Sequence, residues 1–168
     1  FQETIESYLQ GVDETQQQLG IVMIDLNRFK RINESIGHSA GDEVLRTVAQ
    51  RLESGATQAV KASGGKLTIK VARLGGDEFA VVVVRIGQDD ALLQVDVNAA
   101  VDHLLAELAR TAFFAGDTPM WITGSAGIAL HPRNGRDYST LLKKADAALH
   151  HAKSSSSEVD FYRDDMQL

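Results

Sequence analysis

Hydrophobic and polar positions along the chain predict several strands. Residues 21–24 form a β-branched, apolar run that predicts a strand buried on both faces and ending at Asp25. Residues 67–72 and 78–85 predict two more strands, and Gly75-Gly76 between them predicts a hairpin turn because glycine adopts positive φ without steric cost. Residues 120–130 predict a further strand, and residues 159–162 predict an edge strand.

Apolar residues at helical spacing predict the helices. A short helix is expected to end near Gly11, a second covers about 27–36, and a third begins at Asp42, where a carboxylate suits an N-cap. Residues 89–112 and 138–153 predict two more helices. Residues 54–66 are rich in Gly, Ala and Ser and predict an exposed loop.

The order of these elements, β-α-α-β-β-α-β-α-β, predicts an α/β fold with a mixed central β-sheet flanked by helices. The adjacent hairpin excludes a purely parallel, doubly wound sheet. A length of 168 residues fits one domain. We expect residues 1–18 to form a lead-in helix and turn, and residues 159–168 to form an exit segment toward a further C-terminal region.

Composition excludes several classes of protein. The net charge of −6 argues against a general nucleic-acid binder, which needs a basic face for phosphates. The absence of cysteine excludes a disulfide scaffold and a thiolate zinc site. No apolar run is long enough to span a bilayer, so direct membrane contact is not expected.

Two aspartates are placed where they could meet. Asp25 ends the first strand, and Asp77 follows the Gly-Gly turn. If these strands are neighbours, both carboxylates reach one edge of the sheet, and a hard cation such as Mg²⁺ would relieve their repulsion. The alternative is that each is an ordinary turn aspartate.

Other polar residues follow the same strand end. Arg28, Lys30 and Arg31 suit a polyphosphate, although a solvated basic helix face is the alternative. Asn33 and Asp42 carry the donors and acceptors that read a purine edge, with His38 between them in the sequence. Helix capping by Asp42 is the simpler interpretation of these residues.

The motifs resemble one family. Residues 73–79, R-L-G-G-D-E-F, resemble the motif of the GGDEF domain, the diguanylate cyclase family. Four further blocks resemble the family in order: residues 25–33 (D-x-D-x-F-K-x-x-N), 37–42 (G-H-x-x-G-D), 125–129 (S-x-G-I-A) and 145–153 (A-D-x-A-L-Y-x-A-K). The resemblance covers nearly the whole chain.

This resemblance implies a palm-like fold related to adenylyl cyclase catalytic cores. It implies that two such domains, each holding one GTP, meet as a homodimer and form cyclic di-GMP and pyrophosphate with Mg²⁺, or alternatively Mn²⁺. The metals would neutralise phosphate charge, and the protein would mainly position its substrates.

The resemblance also implies roles for individual residues. The metal ligands would be Asp25, the Leu26 carbonyl, Asp77 and Glu78. Asp77 would also accept the proton of the 3′-hydroxyl. Lys30 would stabilise phosphate charge. Substrate binding would involve the remaining positions: Asn33 and Asp42 for guanine, His38 lining that pocket, backbone N–H groups of Arg28 and Phe29, and Lys153 for the terminal phosphate.

Three departures from the family pattern bear on activity. Asn27 stands at the second acidic position of the first block. Ser157 stands where the family has a phosphate-binding arginine, which removes roughly 1.5–3 kcal/mol of charged hydrogen bonding. Residues 66–69 replace the R-x-x-D product-inhibition motif, so feedback inhibition there is not expected.

The departures leave two functions open. The first is an active diguanylate cyclase. The second is a weak or inactive domain that binds GTP or dimerises and regulates a linked phosphodiesterase of the EAL type or a sensor. The sequences at both ends resemble those that flank a GGDEF domain inside a longer sensor–GGDEF–EAL protein. We therefore expect this chain to be the middle part of such a protein, located in the cytoplasm.

Overall fold

The computed structural model describes residues 1–166, without the side chains of residues 13–15, so residues 167 and 168 of the predicted exit segment lie outside the described part. The helices are α1 (Gln2–Thr15), α2 (Phe29–Ile36), α3 (His38–Ala62), α4 (Asp90–Ala109) and α5 (Tyr138–Ser154). The strands are β1 (Gln17–Leu26), β2 (Leu67–Gly75), β3 (Glu78–Ile86), β4 (Phe113–Ala115), β5 (Thr118–Met120), β6 (Gly124–His131) and β7 (Val159–Phe161).

A five-stranded sheet in the order β2-β3-β1-β6-β7 forms the centre of the fold. The pairs β2–β3, β3–β1 and β1–β6 are antiparallel, and β7 joins β6 in parallel. The strands β4 and β5 form a separate two-stranded hairpin. The predicted mixed sheet flanked by helices is therefore confirmed.

Alternate residues of β1 enter two different hydrophobic clusters. Val22 and Ile24 pack with the apolar faces of α3 and α4, whereas Ile21 and Met23 pack with α1 and α5. Because successive side chains of a strand point to opposite faces, helices cover the sheet on both sides. The prediction that this strand is buried on both faces is confirmed, although β1 is longer than predicted at both ends.

The predicted loop over residues 54–66 is wrong for residues 54–62, because α3 continues through Ala62, and only residues 63–66 connect α3 to β2. Gly55, Ala56 and Ala59 are buried, and a Cβ on Gly55 would lie 3.0 Å from the Leu104 Cα of α4. These small residues allow two helices to approach closely, which a composition rich in Gly and Ala does not distinguish from a loop.

Several other boundaries differ from the predictions. Helix α1 continues past Gly11 to Thr15. Helix α3 begins at His38 with Gly37 as its N-cap, so the predicted N-cap role of Asp42 is wrong. The β4–β5 hairpin over residues 113–120 was not predicted, so α4 ends at Ala109 and the strand predicted over residues 120–130 begins only at Gly124, as β6.

Candidate active site

The antiparallel pairing of β1 brings several polar residues to one end of the sheet. Asp25, near the end of β1, lies opposite Glu78 at the start of β3 and opposite Ser125 near the start of β6. Asp77 lies in the β2–β3 turn, where Gly75 and Gly76 adopt φ values of 149° and 53° that favour glycine. The expectation that Asp25 and Asp77 reach one edge of the sheet is thus met.

The charge of Asp25 acts on the neighbouring carboxylate of Asp77. Burial raises the pKa of Asp77, and the negative charge of nearby Asp25 raises that pKa further. The pKa of Glu78 is also raised, mainly by burial and then by the charges of Asp146 and Asp25. Negative charge is therefore concentrated at this end of the sheet.

One cation contacts this acidic cluster from the opposite end of the sequence. Lys153, near the end of α5, lies with its Nζ atom 2.5 Å from Asp25 Oδ2. The other oxygen, Asp25 Oδ1, is buried and has no hydrogen-bond partner among the described residues. Such an unpartnered carboxylate oxygen is a ready ligand for a cation.

These residues fit a metal ion that the substrate helps to hold. Across residues 1–166, no set of three or more Asp, Glu and His side chains converges as a preformed metal site. Mg²⁺ needs only one or two carboxylates when substrate phosphates and water complete its shell, so Asp25 and Asp77 suffice. Leu26 could contribute only its backbone carbonyl, because its side chain is a hydrocarbon buried in the core.

The segment that follows β1 presents backbone donors and cations. Arg28 adopts φ 61° as the N-cap of α2, and its carbonyl accepts the first helical hydrogen bond, from Ile32 N–H. The N–H groups that precede Ile32 in the helix therefore lack helical acceptors. Phe29 is buried in the core, and Lys30 is exposed.

Asn33 is held by the first turn of α3. Asn33 Nδ2 lies 3.1 Å from His38 Nδ1, and a Cβ on Gly41 would overlap Asn33 Oδ1. The bare Gly41 backbone thus makes room for the Asn33 amide. Asp42 is exposed one turn beyond His38 and forms no side-chain hydrogen bond or ion pair within residues 1–166.

Asn27 connects β1 to the start of β6. Its backbone N–H donates to the Thr123 carbonyl at 2.9 Å, and its Nδ2 donates to Thr123 Oγ1 at 3.0 Å. Ser125 Oγ donates to Asn27 Oδ1 at 3.0 Å. Both ends of the amide are engaged, so Asn27 acts as a structural clamp beside the carboxylates.

Apart from Arg28, Phe29 and Lys30 at the start of α2, the structure places the predicted side chains in two groups. The first, at the end of the sheet, comprises Asp25, Asp77, Glu78 and Lys153. The second, between α2 and α3, contains Asn33 and His38 in contact, with Asp42 nearby on α3. The clamping role of Asn27 and the Gly41–Asn33 contact were not predicted, because their partners are set by tertiary packing and not by local sequence.

Comparison with known proteins identifies the relationship. The family model for the diguanylate cyclase GGDEF domain matches residues 1–158. This chain belongs to the GGDEF family. The resemblance inferred from the motifs is confirmed, and the site at the end of the sheet contains the residues of the GGDEF motif itself, with Asp77 in the turn and Glu78 beginning β3.

Solved GGDEF domains share the fold. The crystal structure of the GGDEF domain of TpbB from Pseudomonas aeruginosa superposes with a TM-score of 0.81 at 30% identity, covering 97% of this chain and 93% of that one. A sensory box/GGDEF family protein from Caulobacter crescentus superposes with a TM-score of 0.75 at 34% identity, covering 92% and 90%. The palm-like α/β fold of GGDEF domains is therefore present here.

Curated GGDEF relatives carry more than one activity in their names. Diguanylate cyclase TpbB of P. aeruginosa is 32% identical over 155 residues, which are 91% of this chain and 32% of TpbB. Cyclic di-GMP phosphodiesterase NbdA of the same organism is 30% identical over 92% of this chain and 18% of NbdA. The chain thus spans about a third or less of the length of these relatives.

Proposed function

We propose that this GGDEF domain is a diguanylate cyclase that condenses two GTP molecules into cyclic di-GMP, with release of pyrophosphate. The observation that carries the proposal is the approach of Asp25 to Asp77 at the end of the sheet, with Asp25 Oδ1 buried and without a hydrogen-bond partner among the described residues. Membership of the diguanylate cyclase family supports it.

The reaction joins nucleotides held by two domains. The 3′-hydroxyl oxygen of one GTP attacks the α-phosphorus of the other, and the bond from that phosphorus to pyrophosphate breaks. The hydroxyl proton passes to the Asp77 carboxylate. Without metal, burial and the charge of Asp25 raise the pKa of Asp77, and a cation bound to that carboxylate would oppose this shift. A second attack, by the 3′-hydroxyl of the other nucleotide on the remaining α-phosphorus, releases a second pyrophosphate and closes the ring.

The remaining residues bind and orient the nucleotide. Asp25, Asp77, Glu78 and the Leu26 carbonyl would hold Mg²⁺ or Mn²⁺, which when bound neutralises charge on the phosphates. Lys30, Lys153 and the backbone N–H groups at the start of α2 stabilise the phosphate charge. Asn33 and Asp42 hydrogen-bond to guanine, and His38 orients the Asn33 amide through its 3.1 Å contact.

Product formation tests this function. We expect the domain, incubated at high concentration with GTP and Mg²⁺, to produce cyclic di-GMP that chromatography detects. Asp77→Ala should abolish the product because it removes both a metal ligand and the proton acceptor. Asp102→Ala is the matched control, since Asp102 is an exposed aspartate of α4.

The two variants give opposite results if the assignment is correct. Product from Asp77→Ala at the wild-type rate would contradict the catalytic role of Asp77. Loss of product in Asp102→Ala as well would indicate a general effect of losing a surface carboxylate.

A regulatory domain is the second candidate function. Asn27 uses both ends of its amide to clamp Thr123 and Ser125, and so adds no negative charge beside Asp25. Ser157 supplies no cation where the family pattern has arginine. In this case the domain binds GTP or dimerises without turnover and controls a linked domain.

Binding and turnover separate the two candidates on one sample. Calorimetric titration with GTP that shows binding, combined with the absence of cyclic di-GMP, would favour the regulatory domain. Product formation by the wild type favours the cyclase. Linked sensor or EAL domains and a cytoplasmic location are proposals that accompany either function; within residues 1–166, no helix is long and apolar enough to cross a membrane.

A further inference from the structure

An open cavity of about 870 Å³ lies beside the candidate active site. The start of α2 contributes Arg28 and Arg31 to its lining, and the end of α5 contributes Lys153. Ser156 and Ser157, which follow α5, line the same cavity. The cavity therefore extends from Lys153, at the end of α5, across to the first turn of α2.

The cavity is strongly cationic for a protein with a net charge of −6. Among the residues that line it, three are cationic and one, Glu158, is acidic; the cations are Arg28, Arg31 and Lys153. Within residues 1–166, neither Arg28 nor Arg31 uses its side chain in a hydrogen bond or ion pair, whereas Lys153 pairs with Asp25. Two guanidinium groups without a described partner that line one cavity favour an anionic ligand, although both also border a smaller cavity with Lys30 and Glu34.

We propose that Arg28 and Arg31 bind the terminal phosphates of the nucleotide across this cavity and replace the cation that is lacking at Ser157. The inference rests on the proposed use of GTP and extends it to two side chains that the proposed mechanism does not use. Because Ser157 lines the same cavity, arginines reaching in from α2 meet the ligand that an arginine at Ser157 would meet.

The local backbone supports this placement. Arg28 is held at φ 61°, a conformation uncommon outside glycine, so the turn before α2 is fixed by its surroundings. Arg31 follows in the first turn of α2, where the N-terminal end of the helix dipole adds positive potential. Guanidinium groups also offer paired N–H donors that match phosphate oxygens.

Phosphate-dependent binding tests the inference. Calorimetry on the wild type, Arg28→Gln, Arg31→Gln and the double variant would compare GTP, GMP and inorganic tripolyphosphate, all with Mg²⁺. We expect each single substitution to weaken GTP and tripolyphosphate binding about ten-fold, the effect of one lost charge-assisted hydrogen bond. The affinity for GMP should not change, because GMP lacks the terminal phosphates.

A control variant separates this contact from general electrostatics. Arg136 is an exposed arginine just before α5, about 20 Å along that helix from Lys153. Arg136→Gln removes the same charge, and we expect GTP affinity to stay within about two-fold of the wild type because the distance exceeds the screening length.

Adding Ser157→Arg gives a further test. If the α2 arginines and residue 157 serve the same phosphates, Ser157→Arg should restore GTP affinity in the double variant and add less in the wild type. Equal gains in both backgrounds would contradict the shared ligand.

The possible failures are distinguishable. If the wild type binds GTP and forms cyclic di-GMP while the double variant keeps wild-type affinity, this inference is overturned and the proposed function stands. If the wild type binds neither GTP nor tripolyphosphate, both are overturned. If GMP affinity falls together with GTP affinity, the arginines support the pocket and do not contact the terminal phosphates, which also overturns the inference.

Discussion

At the scale of single residues, the site places like charges together. Asp77 lies beside Asp25, and burial and that charge raise the pKa of Asp77. A folded-state pKa above the unfolded value means that ionisation of Asp77 opposes folding. Active sites commonly carry such a conflict, because groups arranged for chemistry are not arranged for stability.

Asp77→Asn should therefore stabilise the fold in a pH-dependent way. Well below the ordinary aspartate pKa of about 3.9, Asp77 is protonated in both the folded and the unfolded state, so the repulsion is absent there. The repulsion between ionised Asp77 and Asp25 develops as the pH rises from the ordinary aspartate pKa through the raised pKa of Asp77 in the folded state. We expect the variant to gain up to about 1 kcal/mol in free energy of unfolding near neutral pH, and less in acid, because the pair is partly solvated. Urea denaturation of the wild type and the variant without metal, once near neutral pH and once in acid below the ordinary aspartate pKa, measures this difference.

The exposed aspartate on α4 provides the comparison. Asp102→Asn removes one charge away from the site, and we expect its stability to follow the wild type at both pH values. A gain in Asp77→Asn that is the same in acid and at neutral pH would show that repulsion between ionised carboxylates is not its cause.

At the scale of elements, regular patterns predicted the structure well and small residues did not. The buried run in β1 and the Gly-Gly turn before β3 followed directly from the sequence. The composition of residues 54–66 predicts a loop, whereas residues 54–62 are helical, because a helix–helix contact formed by Gly55 and alanines lacks bulky apolar residues. A glycine in the sequence does not by itself show whether another element packs closely against it, as α4 does at Gly55.

The junction of α2 and α3 offers a test of that point. Gly41→Ala should displace Asn33, because the new Cβ would overlap Asn33 Oδ1. Alanine favours a helix by about 1 kcal/mol over glycine, so we expect little net loss of stability. The proposed guanine contact should suffer instead, with GTP binding about ten-fold weaker and less selective over ATP.

Calorimetry with both nucleotides checks this prediction, and thermal unfolding shows whether the fold is intact. Ser39→Ala, an exposed substitution in the same first turn of α3, should leave binding and stability unchanged. Full guanine selectivity in Gly41→Ala would contradict the role of Asn33.

At the scale of the whole molecule, the sequence predicted one meeting of site residues and missed the long-range contacts around it. The carboxylates of Asp25 and Asp77 meet as expected from their positions at strand ends. The pairing of Lys153 with Asp25 spans 128 residues, and the Asn27–Thr123 clamp spans 96. Such contacts depend on the packing of α5 and β6 on β1, which local patterns do not encode.

The proposed reaction also needs more than one copy of the molecule. Each domain would hold one GTP, and the attacking hydroxyl and the phosphorus would lie on different domains. Product formed per domain should therefore rise in proportion to domain concentration while dimers are rare, at saturating GTP and Mg²⁺. Fusing a dimerising coiled coil to the chain should raise the rate at low concentration, because effective concentrations reach the millimolar range for short linkers. A rate per domain that is independent of concentration, unchanged by the fusion and accompanied by monomers in sedimentation would show that one domain suffices, contrary to the proposed mechanism.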